Sequence, residues 1–75
     1  MFSICYDKLW KLLIDKKMKK VDLMREAKIS SNALAHLGKN ESISVECLGK
    51  ICVALACTPN DILEFVTIDK ESTNL

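Results

Sequence analysis

The chain has 75 residues, is 49% hydrophobic and balances 11 Lys or Arg against 10 Asp or Glu, which suits one small globular domain and leaves no room for two. A domain this short buries only about 60% of the surface its unfolded chain exposes, which argues against a deep enzyme cleft, and the uncharged run from Ile51 to Asn60 is about half of the roughly 18 apolar residues a membrane span needs. Met1 to Asp7 lacks a basic leading region followed by a long apolar run, so no secretory signal is read there and a cytoplasmic location is expected.

Helical spacing dominates the chain, and neither sustained alternation nor an Asn-Gly or Asp-Gly turn signals a strand. Between Tyr6 and Lys17, Leu9, Leu12 and Leu13 fall at i, i+3 and i+4, with Asp7 placed where a first turn favours negative charge. Tyr6 and Trp10, four apart, are expected to cover the edge of the core. A second helix is predicted from about Lys20 to Ala27, with Leu23, Met24 and Ala27 facing inward. Lys28-Ile29-Ser30 interrupts it, and Ser30 is a good N-cap for a third helix. At 100° per residue, Leu34 and Leu37 share one side of that helix, and Asn32, His36 and Lys39 share the opposite side. Gly38 and the polar run Lys39 to Ser42 end it.

Ser44 caps a fourth predicted helix, whose Leu48, Ile51, Cys52 and Leu55 follow i, i+3, i+4 and i+7. Thr58-Pro59-Asn60-Asp61 has the signature of a fifth start, with Thr58 as N-cap and Pro59 at the first helical position. Ile62, Leu63 and Phe65 supply its apolar side. The reading is therefore all-α, with a five-helix domain over residues 1–66 and a polar C-terminal tail over residues 67–75 that could become ordered in a dimer. Cys47, Cys52 and Cys57 recur every five residues, about 140° apart on a helix, so they cannot converge on one ion. No metal site or cofactor is expected, and the thiols are read as reduced and partly buried.

The overall charge of +1 hides an asymmetry. Residues 1–40 hold nine basic against four acidic residues, and residues 41–75 hold two against six, so the first part alone can offer a basic face to a polyanion. Helices two and three are joined by three residues only, which forces a sharp crossing. Such a pair can hold one helix across a phosphate backbone while the other lies in the major groove.

At this point the run from Met18 to Leu37 resembles the helix-turn-helix of the Cro and C1 repressor family. Ser44 to Phe65 is similar to that family's fourth and fifth helices, so that the likeness covers roughly residues 6–66. It implies a compact lambda-repressor-like fold that binds double-stranded DNA as a homodimer and regulates transcription, as a repressor in the expected reading, with no membrane partner and no ligand domain. By position, Ser30, Ser31, Asn32, Ala33 and His36 match the places that reach bases and flanking phosphates. Lys20 matches the phosphate-gripping start of helix two, with Lys19 before it, and Lys39 and Asn40 match the backbone-contacting loop after helix three. Where the family usually has Gly in the turn, this chain has Lys28, which adds a basic group at a place that favours a left-handed angle.

Side-chain chemistry supports these roles independently. Asn32 can pair with adenine through both amide groups, a contact worth about 1–3 kcal/mol of discrimination. His36 can donate to guanine or to a phosphate, Ser31 can meet a base or a phosphate, and Ala33 can touch a thymine methyl. Base contacts are therefore assigned to Ser31, Asn32, Ala33 and His36, and phosphate contacts to Lys19, Lys20, Lys28, Ser30, Lys39 and Asn40. A single His with no adjacent nucleophile and orienting carboxylate, and the lack of a glycine-rich phosphate loop, argue against an enzyme. The competing reading is a protein-interaction module, an antitoxin or anti-regulator on the same fold, which the near-neutral charge and the lack of Arg on helix three favour.

Overall fold

A computed structural model describes residues 2–67 of the chain. Its elements in order are β1 (Phe2–Cys5), α1 (Asp7–Asp15), α2 (Lys20–Ala27), α3 (Ser31–Gly38), α4 (Val45–Leu55), a 3-10 turn (Pro59–Asp61) and β2 (Glu64–Thr67).

Each helix places its inward stripe in one shared core. Leu9 and Leu13 of α1, Leu23 and Ala27 of α2, Leu37 of α3, and Ile51 and Leu55 of α4 are buried together with Tyr6, Ile29 and Ile62. A fully buried Leu or Ile contributes about 1.5–3 kcal/mol, so this cluster holds the domain together. Leu34 and Cys52 pack against it half-buried. Tyr6 lies inside the core at 1% exposure rather than on its edge, whereas Trp10 is half-buried.

The helices share one way of ending. Lys17, Lys28, Asn40 and Ala56 adopt positive φ of 53–58° just after α1, α2, α3 and α4. After each, the next amide reaches back five residues along the chain: Met18 to Leu13, Ile29 to Met24, Glu41 to His36 and Cys57 to Cys52, at 2.9–3.1 Å. This is the Schellman arrangement, which satisfies carbonyls that a helix end leaves free. Left-handed geometry costs about 1–2 kcal/mol in a residue with a Cβ, and none of these four is glycine. At Lys28 the reversal turns the chain from α2 into α3 within the predicted three-residue joint, while Ile29 enters the core.

Two expectations are corrected. The chain is not all-α, because β1 and β2 pair antiparallel with Phe2 opposite Thr67, Ser3 opposite Val66, Ile4 opposite Phe65 and Cys5 opposite Glu64. The fifth helix stops after one 3-10 turn. Its start signals are present: Pro59 leads, and the Asp61 carboxylate accepts from the Thr58 amide and hydroxyl, both at 3.1 Å. The residues after Ile62 then favour extended backbone, since Phe65, Val66 and Thr67 are good strand formers and β1 is available to pair with them. The strand pair is anchored by Ile4 and Leu63, which pack on the core. Beyond Thr67 the expected polar tail lies outside the described residues. Among the described residues, no helix is long and apolar enough to cross a membrane, and the thiols of Cys5, Cys47, Cys52 and Cys57 are free.

Candidate nucleic-acid interface

The third helix is held from one side only. Leu37 is fully buried, with Leu34 and Ala33 packed partly against the core, whereas Ser31, Asn32, Ala35 and Lys39 are exposed and His36 is half-buried. The polar stripe expected from 100° spacing therefore faces outward. Its start is fixed by Ser30, whose hydroxyl oxygen accepts from the Ala33 amide at 3.1 Å. Accepting that bond leaves the Ser30 proton free to donate to an anion.

Exposed basic side chains lie on α2 and in the joint that leads to this stripe. Lys19 and Lys20 stand exposed where α2 begins, and Lys28 is exposed in the joint. The Asp22 carboxylate accepts from the Lys19 amide at 2.9 Å, which defines the first turn of α2. The Lys20 ammonium sits 4.6 Å from the Trp10 ring centroid, a cation–π contact that restrains a long side chain while leaving its charge in water. Beside α3, a groove of about 400 Å³ is lined by Lys28, Ser30, Ala33, Cys47 and Lys50, among others. Burial pushes the Cys47 thiol above its ordinary pKa, against the pull of Lys50, so Cys47 stays protonated and uncharged at neutral pH.

The loop leaving α3 is tied to Tyr6 by two hydrogen bonds. Asn40 adopts φ of 56°, its carboxamide oxygen accepts from the Tyr6 amide at 3.2 Å, and the Glu41 carbonyl accepts from the Tyr6 hydroxyl at 2.7 Å. The resulting reversal brings the Glu41 carboxylate to 2.6 Å from His36 Nδ1.

Comparison with known proteins bears on this arrangement. Residues 8–67 match the model of the Cro/C1-type HTH DNA-binding domain. The chain belongs to the Cro/C1-type helix-turn-helix family. A crystal structure of the transcriptional regulator VanUg is similar to it at 45% identity and a TM-score of 0.84, with 87% of each chain covered. No curated protein matches the chain.

Within this Cro/C1-type domain the predicted positions fall into groups. Ser30, Ser31, Asn32, Ala33 and His36 lie on or next to the first two turns of α3, and Lys28 lies in the joint leading to it. Lys19 and Lys20 lie together at the other end of α2. Lys39 is exposed just past α3. Asn40 has a structural task as well, because one of its amide groups is engaged by Tyr6.

Three contributors escaped the sequence reading. Lys50 sits in the acidic part of the chain, yet it lines the groove beside Lys28 and Ser30. Trp10 is expected at the core edge, and its contact with Lys20 joins α1 to the start of α2, which no spacing within either helix announces. Glu41 is five residues after His36, a spacing that brings no two side chains together on a helix. Only the left-handed Asn40 makes them meet. Asn is the non-glycine residue most at ease in that geometry, so a polar loop with Asn just after Gly38 was the one signal available.

Proposed function

We propose that this Cro/C1-type domain is a sequence-specific, double-stranded DNA-binding regulator that acts as a homodimeric repressor, with α3 lying in the major groove. The observation that carries the reading is the outward stripe of α3, a polar face on a helix whose opposite side is locked by Leu37, with lysines at both ends of α2. Asn32 reads a base edge, with Ser31, Ala33 and His36 beside it. Lys19, Lys20, Lys28, Ser30, Lys39 and Asn40 hold the phosphates that fix the register.

Two copies reading related half-sites must set their α3 helices about 34 Å apart. Apolar surface for such pairing is present on the sheet, where Phe2 and Phe65 are 60% and 65% exposed and Val66 is exposed next to them. Repression follows when the dimer occupies a site that a promoter needs.

Selection of bound duplexes from a random pool tests the reading. The expected product is a two-fold related site whose affinity falls steeply with salt, because neutralising several phosphates releases counterions. Failure to recover any site, together with salt-insensitive capture of a protein, would favour the antitoxin or anti-regulator reading, to which the net charge of +1 lends its support.

A further inference from the structure

The geometry points to Glu41 as a specificity-determining positioning residue: by holding His36 Nδ1 it fixes the imidazole tautomer, and so sets which base edge the outward nitrogen, Nε2, selects. This inference rests on the proposed reading of α3. An ionised carboxylate has only acceptor sites, so the 2.6 Å contact between His36 Nδ1 and Glu41 Oε1 requires the proton on Nδ1. In the neutral ring Nε2 then carries a lone pair. It accepts, and the major-groove donors available to it are the exocyclic amines of adenine and cytosine. Guanine O6 and N7 and thymine O4, which are acceptors, are disfavoured opposite it. The residue types alone suggested donation from His36 to guanine, and the contact with Glu41 reverses that preference for the neutral ring.

Placement of the carboxylate is over-determined. The Glu41 amide donates to the His36 carbonyl at 2.9 Å and the Asn40 amide to that of Leu37 at 3.2 Å, so the backbone itself folds Glu41 over His36. Tyr6 holds Asn40 and Glu41 from the core side. Both side chains of the pair remain half exposed, at 44% for His36 and 50% for Glu41, so the ring is not sealed inside the core. A half-exposed Glu41 also makes Glu41→Ala a gentle change, since no packed apolar group is removed.

The test combines imidazole nitrogen NMR with duplex selection, carried out at a pH where the nitrogen spectrum itself shows a neutral ring, on the full chain and on Glu41→Ala, His36→Ala and the double variant. The His36 base pair is the one whose preference disappears in His36→Ala. Expected are a proton on Nδ1 in the unaltered protein and a preference for adenine or cytosine at that pair. In Glu41→Ala, Nε2 becomes protonated and the preference weakens or inverts by roughly fivefold to tenfold, the worth of one hydrogen bond. Adding Glu41→Ala to His36→Ala should change nothing further at that base pair. A tautomer and a preference both unaltered in Glu41→Ala would overturn the role of Glu41 while leaving DNA reading intact. Failure of the unaltered protein to select any sequence would overturn both.

Discussion

The buried Tyr6 and the exposed Glu41, 35 positions apart in sequence, are joined by a hydrogen bond of 2.7 Å from phenol to main-chain carbonyl. A residue just ahead of α1 thereby fastens the loop that leaves the candidate reading helix. The Tyr6 amide secures Asn40 from the same place, so the end of α3 is set by the N-terminal part of the chain as well as by its own sequence.

Tyr6→Phe keeps the buried ring and removes this one bond. Stability should fall by about 1 kcal/mol, a drop of about 4–8 °C in melting temperature for a domain of this size. Scanning calorimetry of the two proteins measures it, and equal melting would mean that the phenol bond contributes nothing net.

Two glycine exchanges should both stabilise, in opposite directions of substitution. Ala56 carries a Cβ at φ of 53°, and Ala56→Gly relieves that strain for a net gain of roughly 0.5–1 kcal/mol after the added freedom of the unfolded chain. Gly49 stands in the middle of α4, and a Cβ built there meets nothing within 4 Å. Gly49→Ala should gain about 0.5–1 kcal/mol. Urea titrations of each variant provide the check, and a lower midpoint in either would contradict the corresponding backbone argument.

How much could be seen in the sequence follows from the range of each interaction. Ser30, Ser44 and Thr58-Pro59 announce element starts because a cap is a contact across three residues. The inward stripes of α1 to α4 are similarly local, as is the outward placement of Asn32 and His36. The strand pair is different in kind. Phe2–Cys5 and Glu64–Thr67 pair across all the helices that lie between them in the chain, and four residues are too few for alternation to register. The same limit hid the His36–Glu41 contact and the approach of Lys50 to Lys28, each of which depends on a turn or a crossing that no periodicity encodes.

Stability should decline on the alkaline side. Burial pushes the Cys47 and Cys57 thiols above the ordinary value of 9.0, with the neighbouring Cys52 and Asp61 adding to the effect at Cys57. Burial likewise pushes the Tyr6 phenol above 10.0, with Cys47 adding to it. In each case the folded state holds its proton more firmly than the unfolded state does. The stabilisation is therefore complete below the ordinary values and is lost as pH rises through and above them. Urea midpoints should fall above pH 9.0, and less steeply in a Cys47→Ala, Cys57→Ala double variant. A midpoint that rises in this range would contradict the assignment.

The Phe2 and Phe65 rings meet edge to face, with centroids 5.2 Å apart, on a sheet that leaves both largely in water. If this patch joins two copies, Phe65→Asp should shift sedimentation towards the 8.4 kDa monomer. It should also weaken binding to a duplex with two half-sites more than to one with a single half-site. An unchanged sedimentation profile would remove the sheet from the interface.

The most direct measurement compares Asn32→Ala with Lys20→Ala on a selected duplex and on mismatched duplexes across a salt series. Asn32→Ala should lose about 1–3 kcal/mol of discrimination at one base pair and keep its salt dependence. Lys20→Ala should weaken all duplexes alike and reduce the salt slope by about one. Identical behaviour of the two variants, or no effect of either on any duplex, would contradict the assignment of α3 as the reading helix.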